Sequence, residues 1–299
     1  MIAMLRRWAV SGREQWRNVA PSCAYSHCAR EESKLRRMCR RPRYITLLGS
    51  RYCHTECLEQ ALAELLRMRP VARHEPPPHR IPLGLLLLSR QQLTADQLRS
   101  ALAAQRHASS GEPSDHETDH NSNGGEKKIG AWLREFGFVT EQQVTAALAR
   151  QWSCPLLQSG VMEVYPRRFP SIPARLLESS RMMPVEVVEA TKTLLMAFSE
   201  GIDYTALYAI EQMLGYRTEP CLVSPSILQE SLQSLLRHRC SREVVFDGIQ
   251  DTGECARIIA NYAATTKAEE VRVARCSEHF WVRLERLRQP AVTLVLETN

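Results

Sequence analysis

Residues 81–105 of this 299-residue chain read IPLGLLLLSRQQLTADQLRSALAAQ, and residues 128–151 read KIGAWLREFGFVTEQQVTAALARQ. Superposed without gaps, the two stretches share an aliphatic-Gly pair, a following Leu, a Thr and a closing Gln. In each copy the Thr, Thr94 or Thr140, precedes apolar residues spaced three or four apart, which predicts a capped amphipathic helix. The repeat therefore predicts a helical bundle built from two copies of about two short helices each.

The segments on either side of the first copy predict a linker and a loop. Residues 70–80 contain four of the 16 prolines, and proline fixes its own φ and lacks an amide donor. We expect these residues to link a separate module, residues 1–69, to the repeat. Residues 106–127 are rich in Ser, Gly, Asn, Asp and His, so we expect a flexible loop whose His and Asp side chains bind metal weakly at most.

Beyond the repeat region, residues 81–152, the pattern changes to strands alternating with helices. Residues 160–237 predict an α/β subdomain, with strands at 181–188, 191–199 and 216–224 and helices at 203–214 and 226–237. Residues 240–299 predict a small C-terminal α/β segment, with a helix at 251–266 and strands at 270–275, 280–287 and 292–298.

Composition limits the class of protein. The chain is 44% hydrophobic and 24% charged, which favours buried cores over wholesale disorder. Its apolar runs are a handful of residues long, whereas a membrane span takes about 20. Arg6 and Arg7 are not followed by an apolar stretch, so no secretory signal is visible and we expect a cytoplasmic protein without a membrane span.

Five of the ten cysteines lie within the first 57 residues and suggest a metal site. Two closely spaced pairs, C-x4-C and C-x3-C, are the arrangement that four thiolates around a tetrahedral Zn²⁺ require. The predicted zinc ligands are Cys23, Cys28, Cys53 and Cys57. Cys39, His27 or His54 could replace one of them, and ordinary reduced thiols or redox chemistry are the alternatives to a metal.

Positive charge is concentrated in the same module. Residues 1–80 carry 16 Lys+Arg and 7 Asp+Glu, whereas the rest of the chain has a net charge of −3. The run RRMCRRPR, residues 36–43, is either a solvated loop or a contact for nucleic acid or an acidic partner. Together these patterns predict an α+β protein: a tandem-repeat helical bundle followed by a small α/β subdomain, with an N-terminal zinc-knuckle module.

The repeat resembles a known motif, R-L-G-x-x-L-x-x-x-G followed by spaced leucines and a final Gln. That motif occurs twice in the N-terminal domain of type II secretion and type IV pilus assembly ATPases, where the domain is a cyclic di-GMP receptor. The resemblance continues through Met183-Pro184 and Leu214-Gly215-Tyr216, and covers about residues 80–237. It implies binding of cyclic di-GMP or, if that site is inactive, of secretion or pilus assembly components.

The two copies match the motif unequally. The second has Lys128 in place of the usual Arg, whereas the first has Pro82 at that position and Gln91 in place of the second Gly, with Arg80 as a substitute cation. A ligand with two guanines and two phosphates needs glycines for close approach, aliphatic side chains for the purine faces, and cations or amides for the polar edges. The resemblance places at this site Lys128, Ile129, Gly130, Leu133, Gly137, Val144, Leu148 and Gln151 from the second copy, and Arg80, Leu83, Gly84, Leu87, Leu98, Leu102 and Gln105 from the first. Simple core packing is the alternative role for the aliphatic positions.

The sequence shows little sign of enzyme chemistry. An assembly ATPase needs a phosphate-binding loop of the form G-x-x-x-x-G-K-[ST], and none of the 13 glycines is followed by Lys. One H-E-x-x-H is present, His116 to His120, but it lies in the stretch 106–127 that predicts a flexible loop, where no scaffold would hold its side chains in a metal-binding geometry. We therefore expect a non-enzymatic nucleotide-sensing or adaptor protein. The alternative is a zinc-containing nucleic-acid-binding regulator with a ligand-sensing domain.

Overall fold

The computed structural model describes residues 23–28, 44–68, 80–110, 127–157, 172–237, 243–276 and 279–298. Within these ranges the chain is a mixed α/β protein of nine helices and two sheets. None of these helices combines the length and apolar character that crossing a bilayer requires. Most of the predicted linker and loop, Cys39 and the basic run 36–43 lie outside the described residues.

The described chain forms two compact units. The first contains the described residues before position 70 together with residues 246–272 and 282–298. The second contains residues 80–245 and 273–281, as far as the structure describes them.

A six-stranded sheet in the order β2-β1-β7-β8-β9-β6 lies mostly in the first unit. Its strands are β1 (Ile45–Leu47), β2 (Ser50–Tyr52), β6 (Glu243–Ile249), β7 (Glu270–Cys276), β8 (His279–Arg286) and β9 (Gln289–Thr298). β1 runs parallel to β7, with Thr46 opposite Glu270. The sequence does not predict β1 or β2, because a three-residue strand is too short to show an alternating pattern.

Two helices of the first unit, α1 (Thr55–Arg67) and α9 (Thr252–Thr265), pack against each other. On α1, Leu58, Leu62 and Leu66 are spaced four residues apart and are at most 3% exposed. The buried residues of α9 are mostly small, namely Cys255, Ala256, Ile259, Ala260 and Ala263, which lets the helices approach closely. The sequence divides these segments between an N-terminal module and a C-terminal segment, whereas the structure joins them because each covers the apolar face of the other.

The repeat forms four helices of the second unit: α2 (Leu83–Ser89), α3 (Ala95–Ser110), α4 (Ile129–Glu135) and α5 (Glu141–Gln151). The first helix of each copy packs mainly against the second helix of the other copy, α2 with α5 and α4 with α3. The helices share a core of Leu83, Leu87, Leu93, Ala101, Leu133, Val139, Val144 and Ala147. Neither copy therefore buries its apolar face alone.

The ends of the repeat helices follow from local chemistry. Thr94 with Gln97 and Thr140 with Gln143 each exchange side-chain and backbone hydrogen bonds, which form a capping box. Helix α3 continues to Ser110, five residues into the stretch that composition assigns to the loop. Extending an existing helix costs much less free energy than starting one, so the polar residues after Gln105 remain helical.

The remainder of the second unit contains a three-stranded sheet and three helices. Its elements are α6 (Ala174–Ser179), β3 (Met182–Val188), β4 (Thr193–Phe198), α7 (Tyr204–Leu214), β5 (Arg217–Leu222) and α8 (Pro225–Arg237). β4 is central, antiparallel to β3 and parallel to β5. Asp203 accepts a hydrogen bond from Ala206 N at the start of α7, and Gly215 ends that helix with a φ of 72°. The strands and helices predicted between 181 and 237 are present, whereas α6, like β1, β2 and β6, is not predicted from the sequence.

Candidate ligand and metal sites

The closing glutamine of each repeat copy binds the beginning of the other copy. Gln151 Nε2 donates a hydrogen bond to Ile81 O at 2.7 Å, and Gln105 Nε2 donates to Lys127 O at 3.2 Å. Ile81 and Lys127 are equivalent positions in the gap-free superposition of the copies. The two predicted site residues Gln105 and Gln151 thus join the copies reciprocally, as in a pair related by an approximate two-fold axis.

Two of the predicted site glycines lie inside helix contacts. A Cβ on Gly84 would lie 2.7 Å from Leu98 Cδ1, and a Cβ on Gly130 would lie 3.2 Å from the side chains of Leu83 and Val144. Both glycines are buried. The structure therefore gives them a packing role, because a larger side chain would push the helices apart.

The third predicted glycine, Gly137, lies in an exposed turn after α4. Its φ is +68°, and a Cβ at this position would have no atom within 4 Å. Gln91 occupies the same turn of the first copy with a φ of +57°. Gly137 thus serves a left-handed backbone conformation, which the first copy adopts without glycine.

The remaining predicted site residues differ in exposure. The fully buried ones are the core residues Leu83, Leu87, Leu133 and Val144. Those partly open to solvent are Arg80, Leu98, Leu102, Gln105, Ile129, Leu148 and Gln151, and Lys128 is exposed. A ligand at the surface of the repeat can therefore contact the second group and Lys128, but not the buried leucines.

A cation lies on an aromatic ring at the end of the second copy. The Arg80 guanidinium carbon is 3.3 Å from the ring centroid of Trp152, the residue after Gln151. Arg80 Nε and Trp152 Nε1 are both shielded from solvent, and neither has a hydrogen-bond partner among the described residues. Two donors without acceptors at one place are unusual, because leaving such groups unpaired costs free energy.

Two more cations converge on one carboxylate nearby. Lys128 Nζ lies 3.4 Å from Glu200 Oε2, and an Arg181 guanidinium nitrogen lies 3.6 Å from Glu200 Oε1. The next residue, Gly201, lies against the Trp152 ring. We call Arg80, Lys128, Trp152, Arg181 and Glu200 the Glu200 surface. It contains three cations and one carboxylate, of which Lys128 and Arg181 contact Glu200, so its net charge is positive.

Sequence reasoning found Arg80 and Lys128 but missed the other three residues of this surface. Arg181 precedes β3 and Glu200 follows β4, and neither position belongs to a motif. Trp152 directly follows the closing Gln of the second copy, and this position beside a motif residue is the one sequence feature that could have indicated it as a site residue.

The carboxylate of Glu141 connects the repeat to the α/β part of the same unit. It accepts hydrogen bonds from Ser226 N at 2.9 Å and Ser226 Oγ at 2.7 Å, at the start of α8, where backbone donors are unpaired. Burial alone would raise the pKa of Glu141, but these hydrogen bonds and the Arg134 guanidinium outweigh it and lower the pKa below its usual value. The ionised carboxylate therefore holds the two parts together.

The four predicted zinc ligands meet in the first unit. The sulfur atoms of Cys23, Cys28, Cys53 and Cys57 all lie within 4.8 Å of one another. Cys28 Sγ is 3.5 Å from Cys53 Sγ and 3.8 Å from Cys57 Sγ. Sulfur atoms at about 2.3 Å from a tetrahedral Zn²⁺ lie about 3.8 Å apart. The spacing of the cluster therefore fits a metal ion of this kind.

Three short pieces of chain position the thiols. Cys23 and Cys28 flank a turn closed by Cys28 N donating to Tyr25 O, and Ala24 N donates to Arg51 O of β2 at 2.8 Å. Cys53 follows β2, and Cys57 lies in the first turn of α1. The helix N-terminus favours negative charge, which suits a thiolate at Cys57.

Histidines are neighbours of the cluster rather than members of it. The four-thiol group contains neither His27 nor His54, although His54 Nδ1 lies 3.1 Å from Cys53 Sγ. This contact is of the kind by which ligands of a metal are held in orientation.

Burial and mutual contact disfavour ionisation of the clustered thiols. Burial, followed by hydrogen bonding with Cys28 and Cys23, raises the pKa of the Cys57 thiol to about 11, and the same causes raise the pKa of Cys53. A bound divalent cation reverses this preference, because thiolates are its ligands and their charge is neutralised.

Comparison with solved structures finds similarity over about half of this chain. The structure of MshE with cyclic di-GMP matches with a TM-score of 0.40 and 23% identity, covering 52% of this chain and 99% of that one. The N-terminal domain of XpsE matches with a TM-score of 0.33 and 19% identity, covering 50% of this chain and 91% of that one. A second crystal form of that domain gives a TM-score of 0.27 and 20% identity.

No protein-family model matches the chain, and no curated protein sequence matches it. What its surfaces bind must therefore be inferred from their own side chains.

Proposed function

We propose that this chain is a non-enzymatic receptor or adaptor of a type II secretion or type IV pilus system, and that its second unit binds cyclic di-GMP. The ligand follows from the paired sequence motif, and the Glu200 surface supplies groups of the required chemistry. Neither the buried glycines nor the buried leucines take part, because they hold the repeat together.

The observation that carries this proposal is the stack of Arg80 on Trp152 beside Lys128 and Arg181. A cyclic dinucleotide presents phosphates, which pair with Lys and Arg, and purines, which stack on indole or guanidinium planes. The unpaired N–H groups of Arg80 and Trp152 offer donors for phosphate oxygens or for the acceptor edge of guanine. Glu200 holds Lys128 and Arg181 in place until the ligand competes for them.

We also propose that the first unit holds a structural zinc ion through Cys23, Cys28, Cys53 and Cys57. The sulfur spacing and the placement of two ligands on a turn and two around the start of a helix support this site. The zinc content of the purified, reduced protein tests it, with one ion per chain expected and a loss of that ion in a Cys53→Ser variant.

The test of ligand binding is calorimetric titration of the full chain with cyclic di-GMP. We compare the wild type with a Lys128→Ala/Arg181→Ala variant, and use Arg99→Ala as the control. Arg99 is an exposed cation of the same unit, paired with Asp96 on α3. Loss of these two charge-assisted contacts is expected to weaken binding about tenfold or more, and the control is expected to bind like the wild type.

Gly130→Trp, which the motif alone suggests as a blocking variant, is unsuitable because Gly130 faces Leu83 and Val144 in the core. Equal weakening in the Arg99 control would show an unspecific charge effect. Failure of the wild type to bind would contradict the receptor role and leave the second unit as a docking module for secretion or pilus components.

A further inference from the structure

Helix α1 carries a thiol of the cysteine cluster and also the apolar stripe that covers α9. Cys57 lies in its first turn, and Leu58, Leu62 and Leu66 form the buried stripe. A helix of this length moves as one body, so the position of the thiol sets the position of the stripe. Any ion that fixes Cys57 therefore also orients the surface that packs against α9.

The β1–β2 hairpin is connected to the cluster and to the C-terminal strands at the same time. On one side, Arg51 O of β2 accepts a hydrogen bond from Ala24 N of the turn that carries the first cysteine pair. On the other side, Thr46 N of β1 donates to Glu269 O at 2.8 Å, next to the parallel pairing with β7. The cluster and the C-terminal part of the unit thus share both the hairpin and α1.

These N-terminal pieces have little stability of their own. A hairpin of two three-residue strands is not stable alone in water, and a helix of 13 residues is marginal without tertiary contacts. The four thiols belong to the turn, the end of β2 and the start of α1, so one ion joins all three pieces. The free energy of metal binding at such a site becomes free energy of folding.

We infer that the metal bound by this cluster is a clasp, which docks residues 44–68 onto residues 252–272. The order of α9 and of the start of β7 then depends on a metal bound near the other end of the chain. This inference rests on the zinc site proposed above. It goes beyond that site by assigning the ion control over a distant segment rather than over the N-terminal knuckle alone.

Hydrogen exchange followed by mass spectrometry tests the clasp on the full chain under reducing conditions. The protein loaded with one equivalent of Zn²⁺ is compared with the same protein after chelation. We expect amides of residues 252–272 to exchange at least tenfold faster without metal, together with those of residues 44–68. Amides of α7 in the second unit are expected to keep their protection, and adding Zn²⁺ back is expected to restore the rest.

A pair of cysteine variants provides the matched control. Cys57→Ser removes a ligand and should reproduce the effect of chelation, whereas Cys154→Ser removes a half-buried thiol of the second unit and should leave exchange in residues 252–272 unchanged. If one Zn²⁺ binds but chelation affects residues 44–68 alone, the clasp is wrong and the zinc site stands. If no Zn²⁺ binds, both are wrong. Loss of protection in α7 as well would show general unfolding and would also contradict the clasp.

Discussion

Replacing Gly137 separates a backbone role from a ligand-contact role at this predicted site residue. Its φ is +68° and a Cβ would meet no atom within 4 Å, so the cost of Gly137→Ala comes from conformation and not from a clash. The matched variant is Gly137→Asn, because Asn adopts the left-handed region more readily than Ala does.

The magnitude follows from two opposing contributions. A non-glycine L-residue in the left-handed conformation costs about 1–2 kcal/mol, whereas replacing Gly restricts the unfolded chain and returns about 0.4–1 kcal/mol. We expect Gly137→Ala to lower the free energy of unfolding by about 1 kcal/mol, and Gly137→Asn to lower it by less. The reverse change in the first copy, Gln91→Gly, should be neutral or mildly stabilising, because Gln91 has a φ of +57°.

Urea unfolding followed by tryptophan fluorescence measures these differences, since Trp132 and Trp152 lie in the second unit. Gly201→Ala is the control, because its Cβ would make ordinary contact with Trp152 and its φ is not positive. An Ala variant as stable as the wild type would refute the backbone role. An Asn variant that folds normally but loses cyclic di-GMP binding would show that Gly137 touches the ligand.

Three further changes give distinct results. Glu141→Gln should lower the free energy of unfolding by about 1 kcal/mol at neutral pH. The folded-state pKa of Glu141 is lowered, so the stabilisation by its carboxylate is present above the ordinary Glu pKa of about 4.3 and is lost as the pH falls through the folded-state pKa. The unfolding free energies of wild type and variant should therefore converge in acid, and convergence already at pH 6 would contradict this. His54→Ala should weaken Zn²⁺ binding about tenfold in competition with a chromophoric chelator, and unchanged affinity would mean that the contact with Cys53 does not orient the ligand. Gln151→Ala should lower the free energy of unfolding by about 1 kcal/mol in the urea assay, and no change would mean that its bond to the other copy is replaced by water.

The repeat shows how much of the fold is local. Thr94 and Thr140 marked the helix starts correctly because a cap depends on residues three apart, and Gly215 ends α7 as its sequence position indicates. Composition predicts an end of α3 that is five residues too early. Arg106 and the residues after it stay helical because extending a formed helix costs little free energy. The sequences of β1 and β2 show no recognisable strand pattern. Their strand conformation depends on the pairing of β1 with β7.

The candidate sites show the same division. The C-x4-C and C-x3-C pairs predicted the four thiols that the structure brings together, because each pair is a local feature. Motif positions do not distinguish a surface residue from a helix contact: Gly84 and Gly130 match the motif but are buried, whereas Lys128, which replaces the usual Arg, is exposed. Arg181 lies just before β3 and Glu200 lies just after β4, and no sequence motif marks either position.

The sequence by itself determined the repeat, its caps, the alternation of strands and helices between residues 181 and 237 and from residue 251 onward, and the two cysteine pairs, because each depends on residues close together in the chain. Tertiary structure decided which helices of the two copies pack together, the pairing of β1 with β7, and the stacking of Arg80 on Trp152. These choices depend on which distant apolar faces and backbone donors can be satisfied together. They are long-range, so no pattern of spacing within one segment contains them.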